Sequence, residues 1–155
     1  MGSRLPLTAA GLGLAAILIL LGSPTRAQWD PVLNDVTITE TAGCTTIQIG
    51  FEIPVIYLRH FPYQSGEMLL VMLRPMGSNP RNPDPELTRE TALIPPSGFT
   101  ALRDIVLEGD APGGPYLTIL FTHELSYEVR QGRDYRSIVV YVSSPGASEP
   151  CPPER

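Results

Sequence analysis

LFTHELSYEVRQGRDYRSIVVYV, residues 120–142, repeats the layout of GFEIPVIYLRHFPYQSGEMLLVML at residues 50–73. In register, Ile47 falls over Leu117, Ile49 over Ile119, Phe51 over Phe121, Val55 over Leu125 and Tyr57 over Tyr127. After a one-residue gap at the turn, Leu69 falls over Ile138, Val71 over Val140 and Leu73 over Val142. The matched residues recur at every second position, the period of a strand with one face turned inward, and a slip of one residue would carry them all to water. A Phe and a Tyr at fixed spacing, with a shared turn, are harder to match by chance than apolar residues alone. The spacing predicts one unit written twice.

Working outward, each copy opens with a strand, Leu33 to Thr41 in one and Leu102 to Glu108 in the other. Ala42-Gly43 and Ala111-Pro112-Gly113-Gly114-Pro115 supply turn chemistry after these strands, and Gln64-Ser65-Gly66 and Gln131-Gly132 mark the second hairpins. The expected fold is mostly β: an internally duplicated, sandwich-like module of two small antiparallel sheets. The first repeat covers 28–74 and the second 102–143, forming one domain, with a Pro-rich connector at 75–101 and a Pro-rich tail at 144–155. Within the connector, Asp84 as N-cap, Pro85 at the first helical position, early acid and the stop Pro95-Pro96 predict a short helix over 85–93, with Leu87 and Leu93 facing the sheets.

Residues 1–27 read as a signal peptide: Arg4, an apolar run from Leu12 to Leu21, and small residues up to a cleavage point after Ala27. A run of that length is short for a membrane anchor. The expectation is a periplasmic or secreted protein that does not span the membrane after cleavage.

Without that segment, nine Arg (eleven less Arg4 and Arg26) face sixteen Asp and Glu, and there is no Lys. An acidic surface argues against a nucleic-acid partner, since phosphate attraction needs a broad basic face. Lacking Lys, the chain cannot build a Walker loop, a Schiff base or a kinase-type site. Its two cysteines, Cys44 and Cys151, would pair in an oxidising compartment and tie down the tail.

Catalytic signals are sparse, and a non-enzymatic protein without cofactor or metal is expected. His123-Glu124-Leu125-Ser126-Tyr127 starts like a zinc-protease motif but has Tyr where the second His belongs, in a segment that reads as a strand. No Gly-x-Ser-x-Gly elbow occurs.

Binding signals are clearer. Arg130, Arg133 and Arg136, with Tyr135 among them, surround the last hairpin of an otherwise acidic chain, and Arg59 and His60 lie together in the first copy. Guanidinium forks beside an aromatic face suit carboxylates, phosphates and sugar rings. The alternative is a solvated tip where Asp134 and Glu128 neutralise these arginines. The outward face of copy one reads Ile56, Leu58, Met68, Leu70 and Met72, apolar where copy two is largely polar. Such a face needs a cover, either the connector with its helix or a partner, including a second copy in a homodimer.

Cys44-Thr45-Thr46-Ile47-Gln48-Ile49-Gly50-Phe51, Pro54-Val55-Ile56-Tyr57 and Met68-Leu69-Leu70-Val71-Met72-Leu73 resemble one half of an AMIN domain, a module of the bacterial cell envelope. Ile105-Val106-Leu107, Leu117-Thr118-Ile119, Leu125-Ser126-Tyr127-Glu128-Val129 and Ser137-Ile138-Val139-Val140-Tyr141-Val142 resemble the other. The resemblance covers nearly the whole chain after residue 27. It implies a symmetric pair of β sheets and a role in recognising peptidoglycan or docking a division, pilus or secretion component. The alternative is a structural or assembly protein that meets a partner protein through the apolar face of copy one, without wall affinity.

Overall fold

The computed structural model describes residues 31–41, 43–76, 87–144, Gly146 and Cys151. The expected signal segment, the connector at 77–86 and most of the tail lie outside the described residues. Eight strands follow in chain order: β1 (Leu33–Thr41), β2 (Cys44–Phe51), β3 (Val55–Phe61), β4 (Ser65–Pro75), β5 (Arg89–Thr91), β6 (Leu102–Glu108), β7 (Tyr116–Gln131) and β8 (Ser137–Ser143). All pair antiparallel, so the fold is mostly antiparallel β.

The first sheet runs β1-β2-β8-β7 and the second β3-β4-β7-β6-β5, with β7 in both. The N-terminal half of β7 lies between β4 and β6, and its last residues, Tyr127 to Gln131, pair with β8. At the change of sheet the register jumps, Met68 facing Leu120 while Gly66 faces Leu125. Thr122, His123 and Glu124 are exposed there. The Thr122 amide donates to the Ala101 carbonyl at 2.9 Å, and the Ser65 side-chain hydroxyl donates to the Glu124 carboxylate at 2.6 Å.

One apolar cluster draws on seven of the strands. Ile47 faces Val140 and Ile49 faces Ile138 across β2 and β8; Leu117 faces Val71 and Ile119 faces Leu69 across β7 and β4. All eight are completely buried, and each contributes on the order of 1.5–3 kcal/mol by removal from water. At the strand ends Phe51 faces Leu33 and Phe121 faces Leu102, all buried. The expected turn glycines adopt the left-handed region, Gly43 at φ 81° and Gly113 at φ 77°.

Among the described residues 87–93 the expected helix is not formed. Arg89 to Thr91 instead make β5, paired with Val106 to Glu108 of β6, while Pro85 and Glu86 lie outside the described residues. A two-turn helix is marginal by itself, whereas an extended segment satisfies the β6 edge. The Ala92 amide donates to the Ile105 carbonyl at 2.9 Å, and the Gly109 amide to the Thr88 carbonyl at 3.2 Å. This approach needs glycine, because a Cβ at Gly109 would lie 2.5 Å from the Leu87 carbonyl carbon. Leu87 packs against the core as expected, but Leu93 is 93% exposed.

Cys44 and Cys151 form a disulfide, with Cα atoms 5.2 Å apart and a sequence separation of 107. Among the described residues no helix is long and apolar enough to cross a membrane.

Candidate ligand-binding grooves

On the outward side of the first sheet, Thr46, Tyr141 and Glu128 form one cross-strand row, and Gln48, Val139 and Arg130 the next. Arg130 is paired with Glu128, and its guanidinium carbon lies 5.4 Å from the centre of the Tyr141 ring. These rows and the turn of the last hairpin enclose an open groove of about 400 Å³.

The hairpin turn is built by Asp134. Its carboxylate accepts the Arg136 amide at 2.9 Å and the Ser137 hydroxyl at 2.8 Å. These bonds, the Arg136 amide first, hold its carboxyl below the usual range. Tyr135 takes a left-handed φ of 54° and is exposed. The Arg136 guanidinium donates to the Glu52 carbonyl, away from the groove. The arginine set therefore divides: Arg130 and Arg133 line the groove, Tyr135 and Arg136 do not. Of the two acids weighed against these arginines, Glu128 answers Arg130, while Asp134 serves the turn. Arg133 is exposed and has no ion pair among the described residues.

The corresponding rows of the second sheet are Tyr116, Met72 and Arg59, then Thr118, Leu70 and Phe61. Leu58 is an unpaired bulge residue between Tyr57 and Arg59, which shifts the strand by one position and brings Arg59 and Phe61 into line with Met72 and Leu70. Arg59, His60, Phe61, Tyr63, Leu70, Met72 and Tyr116 line an open groove of about 330 Å³. The Arg59 Nε lies 2.8 Å from the Met72 sulfur.

His60 anchors the wall of this groove. Its Nδ1 is 2.6 Å from the Tyr57 hydroxyl and its Nε2 is 3.0 Å from the Tyr63 carbonyl, while the Tyr127 hydroxyl donates to the Pro62 carbonyl at 3.3 Å. Burial, then the nearby Glu124 charge, pushes the Tyr127 phenol up to about 12. Burial likewise raises Tyr57, helped by Tyr63. His123 lines a different depression, with Glu40 and Phe99, so the two histidines are not brought together.

Of the partner-face residues, Leu58 and Met68 are exposed, at 46% and 53%, and Ile56, Leu70 and Met72 are half-buried. The described part of the connector runs along the β6 edge and leaves this face open. Phe61, Tyr63 and Tyr116 join the second groove and Thr46, Gln48 and Tyr141 the first. None of the six stood out in the sequence as a ligand contact. Among the described residues no group of His, Cys, Asp or Glu is suited to hold a metal ion. Comparison with protein-family models, curated proteins and solved structures finds no match.

Proposed function

We propose that this chain is an exported, internally duplicated, sandwich-like β module of the AMIN type that works by binding in the cell envelope, with peptidoglycan as its ligand. The observation that carries this function is the first groove: a guanidinium on Arg133 with no ion pair among the described residues, a tyrosine face at Tyr141 and the polar Thr46 and Gln48 converge on one open surface. Wall peptides offer carboxylates to the first, and glycan rings offer flat faces and hydroxyls to the others. Duplication is supported by the pairing: exchanging Ile47 with Leu117 and Val140 with Val71 turns a β2-β8 pair into a β7-β4 pair. The disulfide supports an oxidising compartment, as in the periplasm.

Co-sedimentation with purified sacculi tests the proposal. Pelleting is expected, and Arg133→Ala should weaken it by about tenfold, the scale of one lost charge-assisted contact, with thermal stability unchanged. Absence of pelleting, or pelleting indifferent to Arg133→Ala and Tyr141→Ala, would count against it.

The exposed Leu58, Phe61, Tyr63 and Met68 favour a second reading, in which this is an assembly protein that meets a partner protein through the second sheet. Mass that rises with concentration and is abolished by Met68→Glu, with the fold retained, would identify that partner as a second copy.

A further inference from the structure

The two outward grooves occupy the same rows of their sheets but treat a cation differently. In the first, Arg130 is answered from within the chain by Glu128, on the adjacent row opposite Tyr141. In the second, the position opposite Met72 is Arg59 itself, and among the described residues no carboxylate lies within ion-pair distance of it. Its Nε is spent on the Met72 thioether, a weak acceptor. That contact leaves the two terminal nitrogens of the guanidinium as a fork, the geometry that matches a carboxylate. Around it the walls are Phe61, Leu70, Met72 and Tyr116.

We infer that the second groove is a binding site for an apolar carboxylate, presented as the C-terminal residue of a peptide. The inference rests on the second reading above, that this sheet meets a protein, and names the chemistry it meets. A C-terminal residue carries its carboxylate and its side chain on one Cα, so one residue can engage Arg59 and the apolar wall together. A volume of about 330 Å³ lies at the lower end of small-ligand sites, ~300–1,000 Å³, and suits such a terminal group. Apolar surface continues past the groove to Met68, 53% exposed and one outward position beyond Leu70 on β4. The extra surface favours a ligand with a chain attached over a free small acid.

The experiment is fluorescence polarisation of the whole protein with a fluorescein-labelled Gly-Gly-Leu-Phe peptide, as the free acid and as the C-terminal amide. The acid is expected to bind about tenfold more tightly than the amide, the scale of one charge-assisted contact. Arg59→Gln should bring the acid down to the level of the amide and leave the amide unchanged; Phe61→Ala should weaken both alike. Arg133→Ala should alter neither, separating this groove from the first. Equal affinity for acid and amide, or an acid preference that survives Arg59→Gln, overturns the inference while leaving a protein-binding face intact. No binding of either peptide overturns it as well, and the concentration-dependent mass then judges the face separately. If phenylacetate displaces the peptide and binds as tightly, the ligand is a free acid and the peptide assignment falls.

Discussion

The Glu90 carboxylate accepts the backbone amide of Val32 with both oxygens, each at 2.9 Å, across 58 residues of sequence, and one of them also takes the Leu33 amide at 2.8 Å. Glu90 thereby caps the entry to β1 from β5, at the far edge of the other sheet. Glu90→Ala leaves two amides beside the buried Val32 and Leu33 without an acceptor and should cost about 2 kcal/mol; Glu90→Gln, which keeps one acceptor oxygen, should cost less. Urea denaturation measures both. A loss below about 0.5 kcal/mol for the alanine variant would place Glu90 among ordinary surface residues.

Ile47 and Leu117 occupy matching core positions, each completely buried and each facing a valine on a neighbouring strand. Ile47→Ala and Leu117→Ala should each destabilise by about 2–5 kcal/mol. The outward Gln48→Ala should stay within about 0.5 kcal/mol. Denaturation midpoints at constant slope would report this contrast.

The Cys44–Cys151 link closes a loop spanning 107 residues. Denatured, unreduced protein should titrate with no free thiol, and the double serine variant should lose about 2–5 kcal/mol, since the open unfolded chain gains conformational freedom. Two titratable thiols would contradict the pairing.

Tyr127 gives stability an alkaline limit. Its phenol ionises near 12 in the folded protein, against an ordinary value of 10.0, so the unfolded chain loses that proton first. The contribution is fully present below pH about 10 and is lost as pH rises toward 12. Tyr127→Phe should flatten the fall in denaturation midpoint across that window, with a residual slope from Tyr57, which is shifted the same way. An unchanged slope would show that Tyr127 titrates normally.

Strand positions were legible because alternation is a local signal. Leu33 to Thr41 and Leu102 to Glu108 emerge with the expected limits, and the pairing of Cys44 with Cys151 followed from two cysteines in a chain read as exported. The connector misled because Asp84, Pro85 and Glu86 carry local helix chemistry, while the β6 edge that draws Arg89 to Thr91 into extension lies in tertiary structure.

The grooves were half legible for a related reason. Nothing in Tyr57-Leu58-Arg59 marks Leu58 as a bulge, yet that one unpaired residue decides that Arg59 and Phe61 share the outward rows with Met72 and Leu70. At the last hairpin the four chosen residues are neighbours in sequence, but the turn at Tyr135 parts them, sending the Arg136 side chain to Glu52 while Arg130 and Arg133 remain at the groove. Thr46 and Gln48 reach that groove through β2-β8 pairing, a contact between segments about ninety residues apart.

The most direct test of the proposed wall ligand is an amide NMR titration of the protein with soluble peptidoglycan fragments. Wall recognition through the first groove predicts shifts concentrated at Thr46, Gln48, Arg130, Arg133 and Tyr141. Spectra that do not change, or shifts confined to Arg59, Phe61, Met72 and Tyr116, would contradict it.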